Sequence, residues 1–230
     1  AVAMPSITQA AVKQWDGSNS AGFEDPLNWD GDAVPAQSNY TGGTTVIGDT
    51  VQFGSPVVVP NQPTLTASRG VGGVQFDVAG WTIGGTGFTL NVTGTQAGGL
   101  GIVSTGAGTN TIDANVAIAR RDSVSTGFNV GTGNTLRING SVSAINATSS
   151  SFSGPVAKIG NGTLELWGSG SLNNFQVNGG TVRVMAGSGG LSTGSGGLTI
   201  GAGATYDVYG VDVSALSLIH ISEPTRRYAI

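Results

Sequence analysis

Few residues in this chain could do chemistry. Gly190-Leu191-Ser192-Thr193-Gly194 has the spacing of a nucleophile elbow, in which a serine on a strained strand-to-helix turn attacks an acyl carbon. That chemistry needs a histidine base, and the only histidine is His220. A Gly/Ser-rich loop gives such a match by composition alone. Asp25, Asp30 and Asp32 are hard oxygen ligands of the kind that hold Ca²⁺, but they lack the regular Asp/Gly spacing of a calcium loop and suit a solvated loop better. The acids Asp77, Asp113, Asp122, Glu165, Asp207 and Asp212 are spread along the chain, whereas polysaccharide hydrolysis needs two carboxyl groups facing one bond. We therefore expect no catalytic, cofactor-binding or metal-binding residues. The aromatics Trp81, Phe128, Trp167, Phe175, Tyr206 and Tyr209 could stack on sugars. Phe128 and Phe175 share a strand phase with Trp81 and Leu198 and are expected inside. Trp167 and Tyr209 are left as the candidate glycan contacts.

The elements that would carry these residues repeat. Phe128-Asn129-Val130-Gly131-Thr132-Gly133-Asn134-Thr135-Leu136-Arg137-Ile138 is a short alternating strand, a Gly-rich turn and a second strand opened by Thr. Leu198 to Val208 matches it in residue type. Trp81 to Val92 is the same with one insertion, while Phe175 to Val184 is shorter by one residue and Lys158 to Leu166 by two. The opening threonines Thr64, Thr89, Thr111, Thr135, Thr163, Thr181 and Thr205 are spaced by 25, 22, 24, 28, 18 and 24 residues, the period of a solenoid coil. No segment carries apolar residues at helical spacing over three turns.

Strict alternation such as Thr181-Val182-Arg183-Val184 puts the valines on one face. A single coil cannot bury that face. Stacked coils can, each strand pairing with its neighbour about 4.8 Å away. About eight coils would make a rod of about 40 Å. In such a stack Arg137, Glu165, Arg183 and Asp207 share one outward position, so their charges alternate along one face.

Composition agrees. Glycine is 40 of 230 residues, more than twice the usual ~7%, with no three-residue period, so collagen is excluded. Only 10% of residues are charged, against ~25% in an ordinary soluble domain, and Val, Ile and Thr favour β-structure. The net charge is −4 and no basic run exceeds Arg120-Arg121, which argues against nucleic acid or an anionic membrane as partner. There is no cysteine, so disulfides and Cys-ligated metals are excluded.

Four segments are expected. Residues 1–12 are a lead-in or the remnant of a cleaved secretion signal. Residues 13–53 hold Trp15, Phe23, Trp29 and Tyr40, with Asp16, Glu24, Asp25, Asp30 and Asp32, and suit a cap over open strand edges. Residues 54–215 are the solenoid. Residues 216–230 break the glycine pattern, and Leu216 to Arg226 resembles the conceptual translation of a transposase-type sequencing-library adapter. His220 falls within it. Without Glu223, Arg226 and Arg227, seven basic and twelve acidic residues remain, for a net charge of −5.

Trp15, Asn28-Trp29, Pro35 and Gly48-Asp49-Thr50-Val51-Gln52-Phe53 resemble the opening of proteins with autotransporter-associated β-strand repeats. Lys158-Ile159-Gly160-Asn161-Gly162-Thr163-Leu164-Glu165-Leu166-Trp167-Gly168 and Gln176-Val177-Asn178-Gly179-Gly180-Thr181-Val182-Arg183-Val184 resemble the repeat itself. The family's longer consensus has a Tyr-containing turn that is missing here. The resemblance spans residues 13–213. It implies an all-β, right-handed parallel β-helix, secreted or displayed on a bacterial outer membrane. It further implies a structural or adhesive passenger without catalysis, followed by a C-terminal translocator or anchor domain. Partners would be glycans or a host or neighbouring cell surface. The alternatives are a β-helix polysaccharide-degrading enzyme and a glycan-binding module.

Overall fold

A computed structural model describes residues 10–41, 44–46, 48–54, 61–94, 100–120, 126–146, 154–185, 190–209 and 219–220. Those residues form a parallel β-solenoid with three faces. One long sheet runs, strand by strand, through Val12–Gln14, Thr50–Phe53, Gly73–Phe76, Leu100–Ser104, Thr126–Val130, Val156–Ile159, Phe175–Val177, Leu198–Ile200 and Ile219–His220. A second sheet, here the ladder sheet, runs through Thr82–Ile83, Gly108–Ile112, Asn134–Ile138, Thr163–Leu166, Thr181–Met185 and Thr205–Tyr209. The third runs through Arg69–Val71, Thr89–Val92, Asn115–Arg120, Val142–Asn146, Gly170–Ser171 and Leu191–Ser192.

Every pairing within these three sheets is parallel. Helix is confined, among the described residues, to the 3-10 turns Pro26–Asn28 and Gly194–Gly196. Five coils contribute a strand to all three sheets, beginning at Gly73, Leu100, Thr126, Val156 and Phe175. That is fewer than the eight expected, and two of the threonines taken as coil landmarks, Thr64 and Thr89, open no strand of the ladder sheet.

The spine forms by alternation. In the ladder sheet Ile83, Ile112, Ile138, Leu166 and Val184 stand in one file, all buried. In the long sheet Val51, Val74, Ile102 and Phe128 do the same. Each such side chain contributes roughly 1.5–3 kcal/mol by leaving water. The N-terminal aromatics join this core: Trp29 meets Trp15 at 5.0 Å and Phe23 at 4.9 Å in edge-on geometry, and Phe53 meets Phe76 at 5.2 Å. Tyr40 lies on the strand Asn39–Thr41, which pairs antiparallel with Thr44–Val46; its side chain lies outside the description.

Corners are set by glycine where the backbone turns left-handed. Gly160 has φ +76°, and a Cβ there would overlap the Val130 carbonyl oxygen of the coil before it.

Two readings of the repeat need correction. Thr135, Thr163, Thr181 and Thr205 do stand in successive storeys, but the threonine preceding them is Thr109, not Thr111. Thr89 opens a strand of the third sheet, in register with Asn115, and Thr64 makes only isolated bridges to Gly22 and Gly84. Trp81 to Val92 therefore spans the next corner of the coil. Both corners join alternating strands through a Gly-rich turn, so residue types alone do not separate them. Phe128 and Phe175 are both buried, yet they lie two positions apart on the long sheet. Phe128 pairs with Ile102 and Lys158, whereas Phe175 pairs with Val156 and Leu198.

Ile219–His220 adds parallel to Leu198–Thr199 at the sheet's end. Backbone pairing to an open edge asks little of sequence, so even an unrelated segment can take it.

Candidate functional site

The outward face of the ladder sheet carries three files, two residues apart along each strand. The first is threonine: Thr109, Thr135, Thr163, Thr181 and Thr205. The second is Thr111, Arg137, Glu165, Arg183 and Asp207. The third follows by continuing the same register: Asp113, Asn139, Trp167, Met185 and Tyr209, with Met185 and Tyr209 paired directly.

The second file forms the expected alternation of charge. Arg137 Nε donates to Glu165 Oε2 at 3.0 Å, Arg183 Nη1 to Glu165 Oε1 at 3.3 Å, and Arg183 Nε to Asp207 Oδ2 at 3.1 Å. Glu165 sits at the centre, its side chain only 10% exposed. The hydrogen bond to Asp207 leads in holding the Arg183 guanidinium above its ordinary value, with the charges of Asp207 and Glu165 adding to it. Two positive and two negative groups cancel along this file.

Trp167 is fixed by its neighbours in the second file. Its indole N–H donates to Glu165 Oε2 at 3.3 Å, and the Arg137 guanidinium lies 5.2 Å from the ring centroid. Trp167 nevertheless remains 38% exposed, and Tyr209 is 62% exposed. These are the two sequence candidates, and the structure puts them in one file, two storeys apart, with Met185 between. The other aromatics turn away: Trp81, Phe128 and Phe175 are buried, and Tyr206 packs against the core, where burial pushes its hydroxyl up to about 12.

The other chemical candidates are held in structural roles. Asp25 accepts from Leu27 N, Asn19 Nδ2 and Ser20 Oγ, closing the 3-10 turn; the Ser20 hydroxyl leads in lowering its carboxyl below the ordinary range. Asp30 accepts from Gln14 N. Among the described residues no three His, Cys, Asp or Glu side chains converge as metal ligands. Ser192 is exposed on a two-residue strand beside Ser171, followed by a 3-10 turn rather than a helix. Asp77 accepts from Gln52 and Gln75, and Asp113 from Asn139. Glu165 and Asp207 do share a face, but each binds Arg183, which lies between them. Asp122 and Asp212 lie outside the described residues.

Sequence reasoning missed two interior features. Lys158 is fully buried, with Nζ donating to the carbonyls of Gly160, Gly162 and Gly179 at 2.6, 2.6 and 2.8 Å. Asn110, Ser104 and Asn134 form a buried chain of hydrogen bonds, Asn110 Nδ2 to Ser104 Oγ at 3.0 Å and Ser104 Oγ to Asn134 Oδ1 at 2.7 Å. Its only sequence signal is polar residues at inward positions.

Comparison with family models, with curated proteins and with solved structures found no match for this chain.

Proposed function

We propose that this chain is a non-catalytic structural and adhesive rod, secreted or displayed on a bacterial surface, of the kind carried by autotransporter passengers. The observation that supports it best is the buried file of the ladder sheet, in register through five coils, together with an outward file whose four charges pair with one another. Both give stiffness to a stalk. In this reading the coils are right-handed, as parallel crossovers almost always are. Residues 13–53 close the N-terminal end, and a translocator or anchor lies downstream of Ala215 in the gene. The resemblance of the Gly-Asn-Gly-Thr-Leu-Glu-Leu repeat supports the assignment to this kind of passenger.

The test is to recover the gene past the codon for Ala215 and express the whole product in a Gram-negative host. Protease added to intact cells should release the solenoid from the surface. A product that stays protected inside the cell, or a gene without any translocator or anchor, would overturn the reading.

A further inference from the structure

We propose that the file Trp167, Met185, Tyr209 is a binding track for an uncharged β-1,4-linked polysaccharide lying along the solenoid axis. This deepens the preceding reading by naming the partner that the rod adheres to.

The spacing carries the case. Adjacent strands are about 4.8 Å apart, so the Trp167 and Tyr209 backbones are about 9.6 Å apart. One storey is close to the length of one sugar in an extended pyranose chain. In β-1,4-linked chains with a twofold screw, every second sugar turns the same apolar face outward. Two aromatic rings two storeys apart therefore meet two equivalent sugar faces, and Met185 lies under the sugar between them. Exposed large apolar side chains are few among the described residues: Val12, Leu27, Phe88, Trp167 and Tyr209. Two of the five are aligned here. Sugar–aromatic stacking needs a ring held in place, and Glu165 and Arg137 hold Trp167 before any ligand arrives.

Charge selects the class. The neighbouring file is paired within itself and has no net charge, so it offers no long-range attraction to a polyanion. Its Arg183 and Asp207 edges, both more than a third exposed, can exchange hydrogen bonds with sugar hydroxyls.

The test is affinity electrophoresis of the whole chain through gels holding hydroxyethyl cellulose, a β-1,4-glucan, or β-1,4-mannan, with soluble starch and polygalacturonate as comparisons. Retardation is expected on at least one of the two β-1,4 polymers and on neither comparison polymer. Trp167→Ala or Tyr209→Ala should each weaken it about fivefold. Trp167→Phe should keep most of it, and Leu27→Ala, which removes an exposed apolar side chain elsewhere, should leave it intact. Trp15, Trp29 and Trp81 are buried, so cellohexaose or mannohexaose should shift the emission of Trp167 alone. Absence of retardation on both β-1,4 polymers would overturn the proposal. So would retardation unchanged by the two alanine variants, or retardation on starch or polygalacturonate. Such a failure leaves surface display untouched, because protease release from cells reads that separately.

Discussion

Lys158 stands directly beside Phe128 in an inward file of the long sheet, an ammonium where the neighbouring coil has a ring. Three glycine carbonyls from two successive turns receive it, so the lysine ties one corner of the coil to the next. Burial pushes its ordinary value of 10.5 down to about 8. Between those values the unfolded chain holds more protons than the folded one, so stability should rise as pH climbs from 8 toward 10.5. Tyr206 has the opposite sign: its value is raised from 10.0 to about 12, and its contribution is lost as pH rises above 10. Denaturant melts between pH 8 and 9.5 isolate the lysine. The parent should gain stability across that window. Lys158→Met should flatten the slope, because the group that titrates in this window is gone.

The charge ladder should be unequal along its length. Glu165 accepts from Arg137, Arg183 and Trp167 while nearly buried; Asp207 accepts from Arg183 while 40% exposed. Glu165→Gln should cost about 1–2 kcal/mol in a urea melt, and Asp207→Asn about 0.5 kcal/mol or less. A double-mutant cycle on Arg183 and Asp207 should give a coupling that shrinks in 1 M salt. Equal costs for the two substitutions would contradict the geometry.

Glycine at the corners has two separable roles. Gly160 and Gly203 share φ +76°, but only at Gly160 would a Cβ strike the coil beneath; at Gly203 nothing lies within 4 Å of it. Gly203→Ala should cost about 1 kcal/mol for the left-handed backbone alone. Gly160→Ala should cost at least 3 kcal/mol, because it pushes two coils apart as well. Thermal melts of the two variants read the difference directly.

Much of this fold was legible because parallel stacking repeats one residue type per file. The positions of Arg137, Glu165, Arg183 and Asp207 follow from counting back to Thr135, Thr163, Thr181 and Thr205, and the ion pairs formed as counted. The exposure of Trp167 and Tyr209 followed from the same phase. Their common file did not, because it depends on where each strand ends. Thr89 was misplaced since a coil has two corners of like composition, and Thr111 because its strand also carries Thr109, which holds the place in the file. Lys158 was hidden because the two-residue shortening of its turn is absorbed after it, leaving it in register with Phe128. A lysine inside a solenoid has no signature in sequence; its carbonyl partners come from backbone that only the stack brings together.

A stacked solenoid requires storeys that follow one another in the order Thr135, Thr163, Thr181. The chain has no cysteine, so engineered pairs can be read without background. Thr135→Cys with Thr163→Cys places two thiols on adjacent strands about 4.8 Å apart, within reach of a disulfide. Thr135→Cys with Thr181→Cys places them two storeys apart, at about 9.6 Å, beyond it. Mild oxidation of the folded chain should cross-link the first pair and leave the second reduced. Efficient cross-linking of the second pair, or of neither, would contradict the stacked ladder.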